Sequence, residues 1–265
     1  MSWLIGPVIG GFVASRSFLA LFISDAIISC IVAVIVYRYL PESKPAPHPD
    51  EKPVTLMQTI GGYGLVMRDL AFMAFITASI LMTSVYQQMY NSLSVFLRDN
   101  HGIDPQGFGI LLSTSAITVI LFQFWTTRRI KRYPPFILMG IGAIFYAIGF
   151  ALFGVVASFA LFAMNIIIIT IGEMIIMPIS QSLVANFAPE EMRGRYMAVS
   201  GLTWLVPSTF GPGLAGYLLD NYDPNLLWYI GGILCLVAAL AFYALHLRLG
   251  SRRRFAPAEV PAAAD

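Results

Sequence analysis

Apolar residues in this chain come in long unbroken runs, not in alternation and not in one-sided stripes. Eight runs stand out: residues 1–15, 17–39, 70–97, 107–127, 135–157, 159–187, 196–219 and 226–247. Seven are long enough to cross a hydrocarbon core about 30 Å thick, at roughly 1.5 Å per helical residue. The first run reaches only about 22 Å. Backbone groups in lipid must satisfy one another, so each run is expected to be a helix. Strands of a membrane barrel would alternate apolar and polar positions, and these runs do not.

Composition agrees. Of 265 residues, 58% are hydrophobic and 11% charged, against about 25% charged in an average soluble domain. Residues 1–15 lack a basic leader and carry Gly6-Pro7 where a signal peptide would be smoothly apolar, so no cleavable targeting segment is expected. Cys30 and Cys235 both fall in apolar runs and read as buried structural thiols. The net charge of +2 could suggest a nucleic-acid partner, but its distribution argues otherwise. If the chain crosses at every run, fourteen of the sixteen Lys and Arg fall on one side, and only Arg16 and Arg98 on the other. The positive-inside rule makes the rich side, with the C-terminus, cytoplasmic.

The five prolines of 41–53 forbid a helix and favour an extended, solvated linker. Residues 54–67 suit a short surface helix, although Gly61, Gly62 and Gly64 weaken it. The expected organisation is 1–40 as the last two helices of an N-terminal bundle and 41–69 as an interdomain linker. A C-terminal six-helix bundle over 70–250 and a disordered tail over 251–265 complete it. The chain also repeats itself: GPVIGGFVAS from Gly6 recurs as GPGLAGYLLD from Gly211, and Arg38 and Arg248 close the following runs. The offset of 205 residues spans six helices, as in transporters built from parallel halves. The first unit is therefore expected to lack four helices, with the chain beginning inside the fifth helix of a twelve-helix design.

These residues carry a family likeness. Ser2-x-x-x-Gly6-Pro7-x-x-Gly10-Gly11 resembles the fifth-helix antiporter motif of the major facilitator superfamily, with Ser2 in place of its first glycine. PEEMRGRYMAVSG followed by GPGLAG is similar to the family's loop between helices ten and eleven and the helix after it, and TTRRIKRYPP sits where the family has its basic turn between helices eight and nine. The resemblance implies an all-α polytopic membrane protein with a partial major facilitator fold, its eight transmembrane helices corresponding to helices five to twelve. It also implies transport, and the fifth-helix motif suggests efflux. Gly6, Pro7, Gly10 and Gly11, with Gly211, Pro212 and Gly216, form a candidate conformational motif in which small residues permit close packing and proline bends the helix. Simple helix packing is the alternative.

Only two acidic residues lie well inside the runs, Asp25 and Glu173. A charged carboxylate there costs about 2.5–3.5 kcal/mol on insertion scales, so each needs a reason. Thr170, Met177 and Ser180 share the helical face of Glu173, and Pro178 loosens the backbone beside it. By resemblance this is the cavity-lining tenth helix. A carboxyl that gains and loses a proton as access alternates, or an interhelical hydrogen bond, would each explain Glu173. Asp25, nearer a helix end, is the second proton-coupling candidate, though it reads first as a carboxylate facing neighbouring helices or pairing with Arg16. Thr83, Gln87, Tyr90, Asn91 and Ser94 recur at spacings of three and four, a polar stripe that must face protein or a wet cavity. By resemblance it lines the cavity from the seventh helix, which makes Thr83, Gln87, Tyr90 and Asn91 substrate-contact candidates, with helix-to-helix hydrogen bonding the alternative. Asn165 and Trp204 are weaker cavity candidates. Arg193 and Arg195 read either as a cytoplasmic latch or as a solvated basic turn.

The chain has no C-x-x-C, H-E-x-x-H, G-x-x-x-x-G-K or G-x-S-x-G. His48, His101 and His246 are scattered, so neither a metal site nor a cofactor is expected. GIGAIFYAIG contains a G-x-G, but inside an apolar run it reads as a packing surface. An enzyme would need paired polar catalysts in adjacent helices, and none are present. The reading is a multi-pass inner-membrane protein and proton-coupled exporter of small, partly apolar molecules. Its partners would be the lipid bilayer, a small-molecule substrate, a proton or sodium gradient and an N-terminal half. The rival is a non-transporting remnant or interaction protein.

Overall fold

The structure, a computed structural model, describes residues 17–39, 56–251 and 255. It divides the chain into two units, 1–54 and 55–265. Regular structure among the described residues is entirely helical. In the first unit, α1 (Phe18–Tyr39) carries the basic residue Arg38 in its last turn. Its 22 residues would span about 33 Å.

The second unit begins with α2 (Leu56–Arg68), which forms despite its glycines. The guanidinium of Arg195 lies over Gly62, where a Cβ would displace that flexible side chain. Asp69 then caps α3 (Leu70–Tyr86), accepting from the Phe72 amide at 3.1 Å. The apolar run over 70–97 is not one straight helix: it is interrupted at Gln87 and Ser92 into α4 (Gln88–Asn91) and α5 (Leu93–His101). Gly102, at φ +65°, closes α5 while the Ile103 amide reaches back to the Leu97 carbonyl at 3.0 Å. A left-handed residue is required there, and glycine adopts it without strain.

Helix α6 (Pro105–Ile130) starts with Asp104 accepting from the Gly107 amide at 2.8 Å and proline in its first turn. Helices α7 (Pro135–Phe153) and α8 (Phe159–Phe187) follow, the latter 29 residues long with Pro178 inside it. A 3₁₀ turn (Glu190–Met192) leads into α9 (Arg193–Ser200), α10 (Leu202–Asn221) and α11 (Asn225–Leu249). Gly201 breaks the expected 196–219 run between α9 and α10.

Helix α7 lies between α8 and α11, while α3 meets α10 and α11 and α6 leans on α8. With lipid as solvent, close packing takes over much of the role of water exclusion, and small residues make it possible. A Cβ on Gly172 of α8 would lie 2.8 Å from the Gly142 carbonyl of α7. Gly142 is the second glycine of the G-x-G, so that stretch is a helix-packing surface. Aromatic rings fill both ends. Phe153, Phe162, Phe96 and Trp228 gather at one; Phe72, Phe75, Phe136 and Phe187 gather at the other. Phe255, in the segment expected to be a disordered tail, is 1% exposed and sits 4.8 Å from Phe187, centroid to centroid.

Six helices among the described residues are long and apolar enough to cross a membrane: Phe22–Tyr39, Leu70–Asn91, Pro105–Ile130, Pro135–Phe153, Phe159–Phe187 and Asn225–Leu249. Of the other two expected crossings, the one over 1–15 lies outside the described residues. The one over 196–219 is helical, but α10, with Pro207, Pro212 and several hydroxyl residues, falls short of that apolarity.

Candidate functional site

A cavity of about 210 Å³ lies among α3, α7, α8, α9 and α10. Hydroxyls of Ser79, Thr83, Ser180, Ser200 and Thr203 line it, mixed with apolar side chains and with no charged one. Three aromatic residues form its wall between the helices. The Tyr86 ring stacks on Tyr146 with centroids 5.4 Å apart and planes 10° from parallel, and meets Trp204 edge-on at 6.4 Å. Such offset and edge contacts are the favoured aromatic geometries.

Glu173 lies one helical turn beyond the residues of α8 that line the cavity, which begin at Ile176. Its carboxyl faces the Tyr86 hydroxyl, with Tyr90 and Tyr146 in electrostatic reach. Its Oε2 atom is fully buried and has no hydrogen-bond partner. A buried polar atom without a partner is costly, which sets this oxygen apart from the apolar packing around it.

Pro178 has no amide hydrogen and leaves the carbonyl four residues earlier, at Met174, without its helical donor. Gln123 of α6 supplies the replacement: its Nε2 donates to the Met174 oxygen at 3.3 Å and to Thr127 Oγ1 at 2.9 Å. The stretch of α8 between Glu173 and the cavity is therefore held from a neighbouring helix as well as by its own ladder.

The polar stripe divides. Thr83 lines the cavity. Gln87 donates to the Trp204 carbonyl at 3.3 Å, tying the break after α3 to α10. Tyr90 shares a 3.2 Å hydrogen bond with Tyr86. Asn91 is exposed and Ser94 half-buried. Asn165 is buried, its Nδ2 without a partner, and is not among the lining residues; Trp204 is among them. Gly211 lies 2.9 Å, measured from a Cβ placed on it, from the Gln88 amide nitrogen; nothing lies within 4 Å of Gly216. Pro212 is exposed. Gly6, Pro7, Gly10 and Gly11 lie outside the described residues, as does Arg16, the expected partner of Asp25. Asp25 is exposed on α1. Cys235 is buried and Cys30 exposed, both as free thiols.

Arg193 meets Glu190 at 3.8 Å, one turn away and open to solvent, while Arg195 covers Gly62. The tie to α3 at this end comes instead from Tyr196, whose hydroxyl donates to Asp69 at 3.0 Å. Sequence reasoning passed over Tyr86, Tyr146, Tyr196 and Gln123. Only Gln123 carried a signal, as the single amide in an apolar stretch. Among the described residues, no three His, Cys, Asp or Glu side chains come together as a metal site.

A bundle of apolar helices around a polar, aromatic cavity, with a half-buried carboxyl beside its wall, defines a multi-pass helical membrane protein with an internal site. The chain belongs to the Major Facilitator Superfamily, whose model matches residues 70–264. It is 25% identical over 233 residues to a Na(+), Li(+), K(+)/H(+) antiporter of Planococcus maritimus, covering 79% of this chain and 54% of that protein. It is 22% identical to the uncharacterized MFS-type transporter YqjV of Bacillus subtilis (87% and 56% covered). To the uncharacterized MFS-type transporter YdeE of Escherichia coli it is 24% identical (90% and 59%). The chain thus spans a little over half the length of these relatives.

Proposed function

We propose that this chain carries the C-terminal bundle of a secondary active transporter that exports small, partly apolar molecules in exchange for protons. Transport would proceed by alternating access, with residues 70–250 as one of two rocking bundles and Glu173 carrying the proton. The supporting observation is the buried, unpartnered Glu173 Oε2 behind a tyrosine wall that borders a mixed polar and apolar cavity. The distribution of basic residues supports an inner-membrane topology with the cavity's α9 end and the C-terminus on the cytoplasmic side.

A second reading, exchange of alkali cations for protons, is favoured by the name of the Planococcus relative. Against it stands a cavity lined by no charged side chain.

The test is proteoliposomes carrying wild type or Glu173→Gln under an imposed pH gradient, with organic solutes and then Na⁺, Li⁺ or K⁺ supplied. Proton-coupled solute movement should fall at least tenfold in the variant. Equal movement in both proteins would remove Glu173 from the mechanism, and coupling to alkali cations alone would select the second reading. A wild type that moves nothing would point to the non-transporting alternative.

A further inference from the structure

The cavity among α3, α7, α8, α9 and α10 is small. Its volume of about 210 Å³ falls below the roughly 300–1,000 Å³ of sites for drug-sized ligands and above the roughly 150 Å³ that admits one benzene ring. Its size therefore suits one ring with a substituent. Three thioethers, Met82, Met177 and Met197, and three rings, Tyr86, Tyr146 and Trp204, supply much of the wall. Sulfur and ring edges make favourable contacts with an aromatic partner that a saturated ring of the same size cannot return. Trp204 is 45% exposed, so its edge contact with Tyr86 leaves much of the indole open.

The polar part of the wall decides the substituent. On α3 the Ser84 hydroxyl is spent on the Ile80 carbonyl at 2.8 Å, a common fate for serine inside a helix. Ser79 makes no such bond: the residue is 2% exposed and belongs to the cavity lining, and its Oγ is buried without a partner. Thr83 follows one turn on, on the same face of α3. From α9 and α10, the hydroxyls of Ser200 and Thr203 already donate to the carbonyls of Met197 and Ser200, each at 2.7 Å, which leaves their oxygens as acceptors. The lining thus holds an unspent donor on α3 and acceptors on α9 and α10. No charged side chain joins them, so an ion entering would lose its hydration without gaining a counter-charge.

We propose that the cavity takes a neutral, single-ring aromatic solute whose substituent both accepts and donates hydrogen bonds, as a carboxamide does. The ring packs among the thioethers and aromatic side chains. Ser79 and Thr83 donate to the substituent's oxygen, and the Ser200 and Thr203 oxygens accept from its N–H or O–H. The proposal rests on the reading of this cavity as the site of the transported solute, and it narrows that solute from small and partly apolar to uncharged and aromatic. Glu173 stands one turn along α8 from the lining residues, so it contributes no charge to the wall itself.

The experiment measures binding and needs no transport activity. The full chain in lipid nanodiscs is equilibrated at pH 7 with four probes of similar size, and uptake by empty nanodiscs is subtracted. Benzamide is neutral and aromatic, benzoate is its anionic counterpart, benzylammonium the cationic one, and cyclohexanecarboxamide keeps the amide without the aromatic ring. The expected result is one benzamide per chain, bound at least tenfold more tightly than any of the other three. Ser79→Ala and Thr83→Val, which remove hydroxyls and keep the packing, should together weaken benzamide about tenfold. Equal affinity for cyclohexanecarboxamide would overturn the aromatic preference, and benzoate or benzylammonium bound as tightly would overturn the neutral one; either result leaves the cavity a solute site. Benzamide binding unchanged in the double variant would overturn the role of α3. Failure of all four probes to bind would overturn the reading of the cavity as a solute site, and this proposal with it.

Discussion

Gln123 on α6 donates through its Nε2 to the carbonyl of Met174 on α8 at 3.3 Å, the oxygen that Pro178 leaves without a backbone donor. In a membrane interior, no water is at hand to take the place of either group. The proline and the amide, 55 positions apart in the chain, are therefore one structural device.

This device makes a prediction that a double-mutant cycle can test. Gln123→Leu should cost about 1–3 kcal/mol, because it leaves a buried carbonyl unsatisfied. In a Pro178→Ala background the backbone donor returns, and the same substitution should cost less than about 1 kcal/mol. Unfolding in mixed micelles measures both; equal costs in the two backgrounds would dismiss the coupling.

Two glycines should respond in opposite directions to alanine. A Cβ on Gly172 would meet the Gly142 carbonyl at 2.8 Å and Tyr146 Cδ1 at 2.9 Å, whereas nothing lies within 4 Å of one on Gly213. Gly172→Ala should destabilise by about 1–3 kcal/mol through overpacking. Gly213→Ala should stabilise by about 0.5–1 kcal/mol through reduced backbone freedom in the unfolded chain. Thermal midpoints in detergent check both signs.

Asp69 serves α3 twice, as cap for the Phe72 amide and as acceptor for Tyr196. Tyr196→Phe removes one role and should cost about 1 kcal/mol. Asp69→Ala removes both and should cost about 2 kcal/mol. Limited proteolysis near Arg68 should accelerate in the same order. A larger loss for Tyr196→Phe than for Asp69→Ala would show that the carboxyl is not the anchor.

At the other end, Arg98 hydrogen-bonds Asp99 at 2.7 Å, and this holds the Asp99 carboxyl below its ordinary value. A lowered value means that its stabilisation is present above pH about 4 and is lost as pH falls through the folded-state value. Both groups are open to solvent, so the effect is small. Wild type should hold a slight advantage in thermal midpoint over Asp99→Asn at pH 7 and lose it on acidification below pH 4. An advantage that grows on acidification would contradict the sign.

Several features of the site were legible from spacing alone. Of the polar stripe, Thr83 lines the cavity and Gln87 and Tyr90 each find a hydrogen-bond partner within the bundle, since an amide or phenol in an apolar helix has few other places to go, while Asn91 is exposed. Glu173 stood out for the same reason. Tyr86 and Tyr146 did not, since a tyrosine among phenylalanines and isoleucines reads as core. Their function as a wall depends on α3 and α7 lying side by side at that level. Arg195 could be singled out as a basic residue beside a helix start, but its contact is the bare backbone at Gly62 and not an acidic partner.

By itself the sequence determined that this is a helical membrane protein and where most of its long apolar helices run, and it shows a Gly-Pro segment that recurs 205 residues later. These follow from local physics: lipid demands apolar side chains and internally satisfied backbones, and both demands are written residue by residue. Only the tertiary structure decided which polar side chains meet, and it did so for Tyr86 with Tyr146, Gln123 with Met174 and Tyr196 with Asp69. The reason is that the rotation and depth of each helix are set by small-residue contacts such as Gly142 against Gly172. Such contacts depend on two distant segments at once, and no single run of residues records them.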